Sequence, residues 1–141
     1  MVALASIAAL GLGAAMAVAQ PIADRRAQAA DGQNVTLGEA RALAHMALSR
    51  GDADLALKLG QSLLQVDARD ANALAIVAAA EAQRGNHRAS RVAAGRAYRA
   101  SDTPKARLKA AQFAARAAML DHRPTLTQIW LRRAATNTTN E

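Results

Sequence analysis

The sequence predicts an all-α fold, a stack of three helix pairs, from three features. Gly51 and Gly85 stand 34 residues apart, and each closes a run of Ala, Leu, Val or Ile at helical spacing. Each is followed by a polar residue, Asp52 or Asn86, that opens another such run. Hydrophobic residues make up 52% of the chain, yet Phe113, Tyr98 and Trp130 are its only aromatics, so a core must be assembled from Ala, Leu, Val, Ile and Met. Small side chains suit closely packed helices, and Ala loses no side-chain entropy on entering one.

At 141 residues the chain is expected to hold one small domain with tails. Residues 1–19 read as a secretory signal peptide: Val2 to Ala23 carries no charge and Ala17-Val18-Ala19 offers a small-x-small cleavage site ahead of Gln20-Pro21. Only the amino terminus supplies the positive charge that opens such a signal, and an uncleaved anchor is the rival reading, since about 20 apolar residues can span a bilayer. Residues 20–36 mix Asp, Arg, Gln, Gly and Asn and read as an exposed linker. A helical domain is then expected over 37–136, in units 37–70, 71–104 and 105–136, with 137–141 as a polar tail.

Thr36 and Glu39 form the signature of a capping box, which opens the first helix. Helices are predicted at about 37–50, 53–66, 71–84, 88–100, 105–120 and 126–135. Gly51 and Gly85 fall where a helix stops and turns, a place that favours the left-handed backbone only glycine adopts without steric penalty. Asp67, Asp70, Asp102 and Pro104 mark the breaks between pairs. In the third unit Thr127, Leu131 and Ala134 align with the packing positions Ala56, Gly60 and Leu63 if the offset grows from 34 to 37 residues. That places an insertion in the turn near Asp121 to Pro124. Trp130 is expected to close the end of the stack by packing; as a lone tryptophan it could instead anchor a partner.

Leu43-Ala44, Ala47, Gly51-Asp52, Ala56, Leu63 and Asp67 sit at the spacings of a 34-residue tetratricopeptide unit, and the chain resembles that repeat family. The resemblance implies binding of a protein or peptide rather than catalysis, in a groove lined by the first helix of each pair. Its groove-facing positions correspond to Gly38, Arg41, His45, Leu48 and Ser49, then Asn72, Ala75, Ala79, Ala82 and Gln83, then Lys109, Gln112, Arg116, Met119 and Leu120. A polar, mildly basic groove with a small-residue floor would suit an extended peptide with acidic groups. The subtype that clamps a terminal carboxylate wants a basic residue and an Asn where Phe113 and Ile76 stand, so that subtype is not expected.

Function classes narrow further by composition. The absence of cysteine excludes disulfides, thiolate metal sites and a cysteine nucleophile. His45, His87 and His122 are scattered without ligand spacing, so no metal or other cofactor is expected, and no hydrolase elbow, Walker loop or calcium loop points to an enzyme. The net charge of +7 is unevenly placed: residues 20–84 hold 7 basic and 8 acidic groups, whereas 85–133 hold 11 basic and 2 acidic. Arg88, Arg91, Arg96 and Arg99 are expected on an outer, solvated helix face. Nucleic-acid binding is not expected without exposed aromatics to stack on bases.

The run from Arg123 to Ala134, behind a signal peptide and Ala/Arg-rich repeats, also resembles the periplasmic part of bacterial surface lipoprotein assembly modifiers, which carry a tetratricopeptide domain ahead of an outer-membrane β-barrel. Two functions follow as expectations. One is a periplasmic interaction module serving cell-envelope assembly. The other is a soluble accessory packed against a membrane barrel or an anionic lipid surface.

Overall fold

The computed structural model describes residues 36–138, and the predicted signal peptide and the linker up to residue 35 lie outside them. Those described residues are all helical, with no strand among them. Six helices follow in order: α1 (Leu37–Ser49), α2 (Ala53–Val66), α3 (Ala71–Gln83), α4 (His87–Ala100), α5 (Pro104–Leu120) and α6 (Pro124–Thr138). Each packs on the next, and the odd-numbered helices also touch one another, α1 against α3 and α3 against α5.

Helix starts are fixed by side chains that satisfy the first free amides. Thr36 and Glu39 form the full capping box on α1, with the Thr36 amide donating to Glu39 Oε2 at 2.9 Å and the Glu39 amide donating to Thr36 Oγ1 at 3.1 Å. Asp52, Asp70 and Thr103 cap α2, α3 and α5 by accepting from first-turn amides, without the reciprocal bond.

Three turns share one geometry. The amide of Asp52 donates to the carbonyl of Ala47 and that of Gly51 to Leu48; Asn86 and Gly85 repeat this on Glu81 and Ala82, and Arg123 and His122 on Ala118 and Met119. This is the Schellman pattern, in which the residue just past the helix takes a left-handed backbone. Gly51, Gly85 and His122 do so, with φ of 77°, 79° and 53°. They are separated by 34 and then 37 residues. The glycines adopt this backbone without strain, whereas His122 accepts a steric cost for it.

The three-residue excess of the last unit lies elsewhere than the sequence suggests. The turn at Asp121–Arg123 matches the other two bond for bond. The excess comes from α5, which has 17 residues against 13 in α1 and α3, about one turn more, while the break before it, 101–103, is one residue shorter than 67–70. The helix expected over 105–120 already has this length to within one residue, so the correction concerns only the assignment of the excess to the turn.

The core is a ribbon of small side chains. Ala40, Ala44 and Ala47 of α1 meet Leu55, Ala56, Leu59 and Leu63 of α2 and Ala73 and Ile76 of α3. A second cluster joins Ala78 of α3, Ala93 and Ala94 of α4, Ala111, Ala114, Ala115 and Ala118 of α5 and Trp130 and Ala134 of α6. Val77 touches both. Within the second pair, Ser90 Oγ donates to the Ala78 carbonyl at 2.8 Å, which lets a polar residue sit fully buried between α3 and α4.

On α6 the buried residues are Trp130, Ala134 and Asn137. Leu131, expected at a packing position, is 53% exposed, because within 36–138 no further helix follows to cover it. Trp130 packs instead against Gly95 of α4 and lies edge-on to Tyr98 at 5.5 Å between ring centroids, with the Arg133 guanidinium 4.6 Å over its face. The helix runs to Thr138, past the predicted start of the polar tail, and Asn137 Nδ2 donates to the Tyr98 hydroxyl at 3.3 Å.

Candidate partner-binding face

The first helices of the three pairs carry the sequence-predicted site, and most of its polar members in the first two units are taken up in contacts between α1 and α3. Arg41 of α1 donates to Asp70, the N-cap of α3, and the two form an ion pair. His45 Nε2 lies 3.3 Å from Asn72 Oδ1. Gln83 Nε2 donates to the Leu48 carbonyl at 3.0 Å. Together these contacts make three rungs between α1 and α3. Ser49 turns back, its hydroxyl donating to its own helix at the Met46 carbonyl.

Asp70 is the partner that the sequence did not assign; it reads there only as a helix break. Its side chain is 10% exposed, and burial alone would raise its carboxyl. The hydrogen bond from Arg41, the amide of Ala73, the charge of Arg41 and the amide of Asn72 outweigh that and hold it below the ordinary carboxylate range. One carboxylate thus caps α3 and fastens α1 to it, and Arg41 is largely consumed in the process.

The third unit is different. Lys109, Gln112 and Arg116 lie exposed along α5 at i, i+3 and i+7, continuing an exposed stripe from Lys105. None of these three cations forms an ion pair among the described residues, and α5 contains no acidic residue. Beside this stripe a recess of about 300 Å³ opens between α3 and α5. Ala79, Ala82, Phe113, Ala117 and Leu120 give it an apolar floor, with Gln83 and Arg116 at its rim. Phe113, Ala117 and Ser90 line this surface without having been assigned to it from the sequence, although Phe113 and Ala117 stand close to Arg116 on the same helix.

The predicted site therefore divides into two. Arg41, His45, Asn72 and Gln83 bind the scaffold together, while Lys109, Gln112 and Arg116 are exposed beside an apolar recess. Among the described residues no group of three His, Asp or Glu side chains is placed to hold a metal ion. Nor is any helix of that part long and apolar enough to cross a membrane. Compared with known proteins, the chain matches no family model, no curated protein and no solved structure.

Proposed function

We propose that the chain is an exported helical-repeat interaction module of the tetratricopeptide type, which holds an extended, acidic segment of a partner protein against the exposed face of its first helices. Cell-envelope assembly is the setting this reading favours, on the strength of the apolar, uncharged amino-terminal sequence. The recurrence of one turn geometry at 34 and 37 residues, and the contact of α1 with α3 and α3 with α5, support the repeat reading.

The observation that carries the functional reading is the surface of α5. Unpaired Arg116 lines a recess large enough for an aliphatic side chain, and unpaired Lys109 stands exposed seven residues before it on α5, so an acidic residue next to an apolar one finds both charge and cover there. Peptides selected from a display library on the full chain should be enriched in Asp or Glu beside an aliphatic residue. For the tightest of them, Lys109→Ala with Arg116→Ala should cost about 1 to 3 kcal/mol per charge-assisted hydrogen bond removed. Arg88→Ala with Arg99→Ala should leave most of the affinity. Equal losses from both pairs would mean that binding is diffuse electrostatics and would refute the assignment.

A further inference from the structure

We infer that the outward face of α4, formed by Arg88, Val92, Arg96 and Arg99, is a docking surface for an anionic lipid bilayer. This goes beyond the peptide-binding reading and uses the other side of the molecule. The four residues follow one another at spacings of four, four and three, which places them on a single stripe. All four are exposed, and Val92 is 51% so, an aliphatic side chain set among cations.

The charge here is not internally offset. Neither α4 nor α6 contains an acidic residue, and Arg88 and Arg99 make no ion pair among the described residues. Arg96 reaches only a neutral partner, donating to the Ala68 carbonyl at 3.3 Å. Alongside the stripe lies a recess of about 500 Å³ lined by Val77, Ala89, Val92, Ala93 and, at its rim, Glu81. Glu81 accepts from Asn86 and from Arg84, a cation it shares with Asp54, so the stripe sets three arginines against this one carboxylate.

Half of the pattern recurs in the next pair, where Arg88 and Arg99 are replaced by Thr125 and Thr136. The 37-residue offset that relates the turns at Gly85 and His122 also relates Val92 to Ile129 and Arg96 to Arg133, and Ile129 is 38% exposed. Arginines that keep their charge among phosphates while a β-branched side chain enters the headgroup layer are the chemistry of an interfacial surface. Nucleic acid fits less well, because Trp130 is buried and Tyr98 half-buried against it, leaving no aromatic face on which a base could stack.

The test is vesicle flotation of the full chain, with phosphatidylcholine alone and with phosphatidylglycerol added. The neutral vesicles serve as the reference for any insertion by the apolar residues 2–23. Wild type should partition preferentially into the anionic vesicles. Each arginine removed should cost about fivefold, so Arg88→Gln/Arg96→Gln/Arg99→Gln should lose on the order of a hundredfold of that preference. Arg88→Gln/Arg99→Gln, which leaves the contact to Ala68 intact, should lose roughly 25-fold. Lys105→Gln/Lys109→Gln/Arg116→Gln removes the same charge from the opposite side and should keep the preference. Equal loss in the two triple variants, no anionic preference in wild type, or tighter binding to a short single-stranded RNA than to the anionic vesicles would each overturn the assignment. None of these results bears on peptide binding at α5.

Discussion

Gly60 of α2 lies against Val77 of α3 so closely that a Cβ on the glycine would stand 2.8 Å from Val77 Cγ2 and 3.1 Å from Ile76 Cγ2. The first helix pair reaches the second across this contact. Any side chain at position 60 has to push Val77 and Ile76 apart, and Val77 belongs to both core clusters. Gly60→Ala is therefore expected to destabilise by about 1 to 3 kcal/mol through overpacking, despite the better helix propensity of Ala. Chemical denaturation measures it, and an equal or higher stability would mean that α2 and α3 are not packed this closely.

A second glycine prediction separates packing from backbone strain. A Cβ at Gly85 would meet nothing within 4 Å, yet its φ is +79°. Gly85→Ala should cost about 1 to 2 kcal/mol, all of it from the left-handed backbone. At the equivalent turn, His122→Gly should be neutral or stabilising by up to about 1 kcal/mol in the same assay, with relief of the side-chain strain set against greater freedom of the unfolded chain.

The joint between α1 and α3 should titrate. Because the Asp70 carboxyl is held below its unfolded value, its contribution to stability is full above the unfolded pKa and is lost as pH falls through the lower, folded one. That window lies below about pH 4. Asp70→Asn keeps an oxygen for the amides of Asn72 and Ala73 but not the charge facing Arg41. It should cost about 1 to 3 kcal/mol at neutral pH, and its stability should fall less steeply than that of wild type below pH 4. Melting curves across this range decide it; parallel pH profiles would remove Asp70 as the fastening group.

Trp130 should behave as a core residue. It is 7% exposed, wedged against Gly95 and edge-on to Tyr98, so Trp130→Ala is expected to cost about 3 to 5 kcal/mol. Trp130→Phe should recover part of that loss. A fluorescence spectrum typical of water-exposed tryptophan in the folded wild type would contradict this placement.

Most of the fold was legible because its signals are local. The capping box at Thr36, the glycines at the turns and the small-residue runs each constrain a few neighbouring residues, and the helix boundaries agree with them to within about three residues. What escaped was relational. The pairing of Arg41 with Asp70 spans 29 positions and depends on how α1 lies on α3, which no local pattern records. The length of α5 was legible, since a helix was expected over 105–120, but the excess was assigned to the turn near Asp121 because the alignment was anchored on packing positions of α6 and not on the turns themselves. Leu131 aligned with Gly60 by register, but register cannot say whether a helix follows to bury it.

The most direct test of the partner-binding account is a nitrogen–proton correlation spectrum of the labelled full chain, titrated with the tightest library-selected acidic peptide. Amide shifts should concentrate on Lys109, Gln112, Phe113 and Arg116 of α5 and on Ala79, Ala82 and Gln83 of α3, around the shared recess. Shifts confined to α4, or spread in proportion to basic residues over the whole chain, would contradict it.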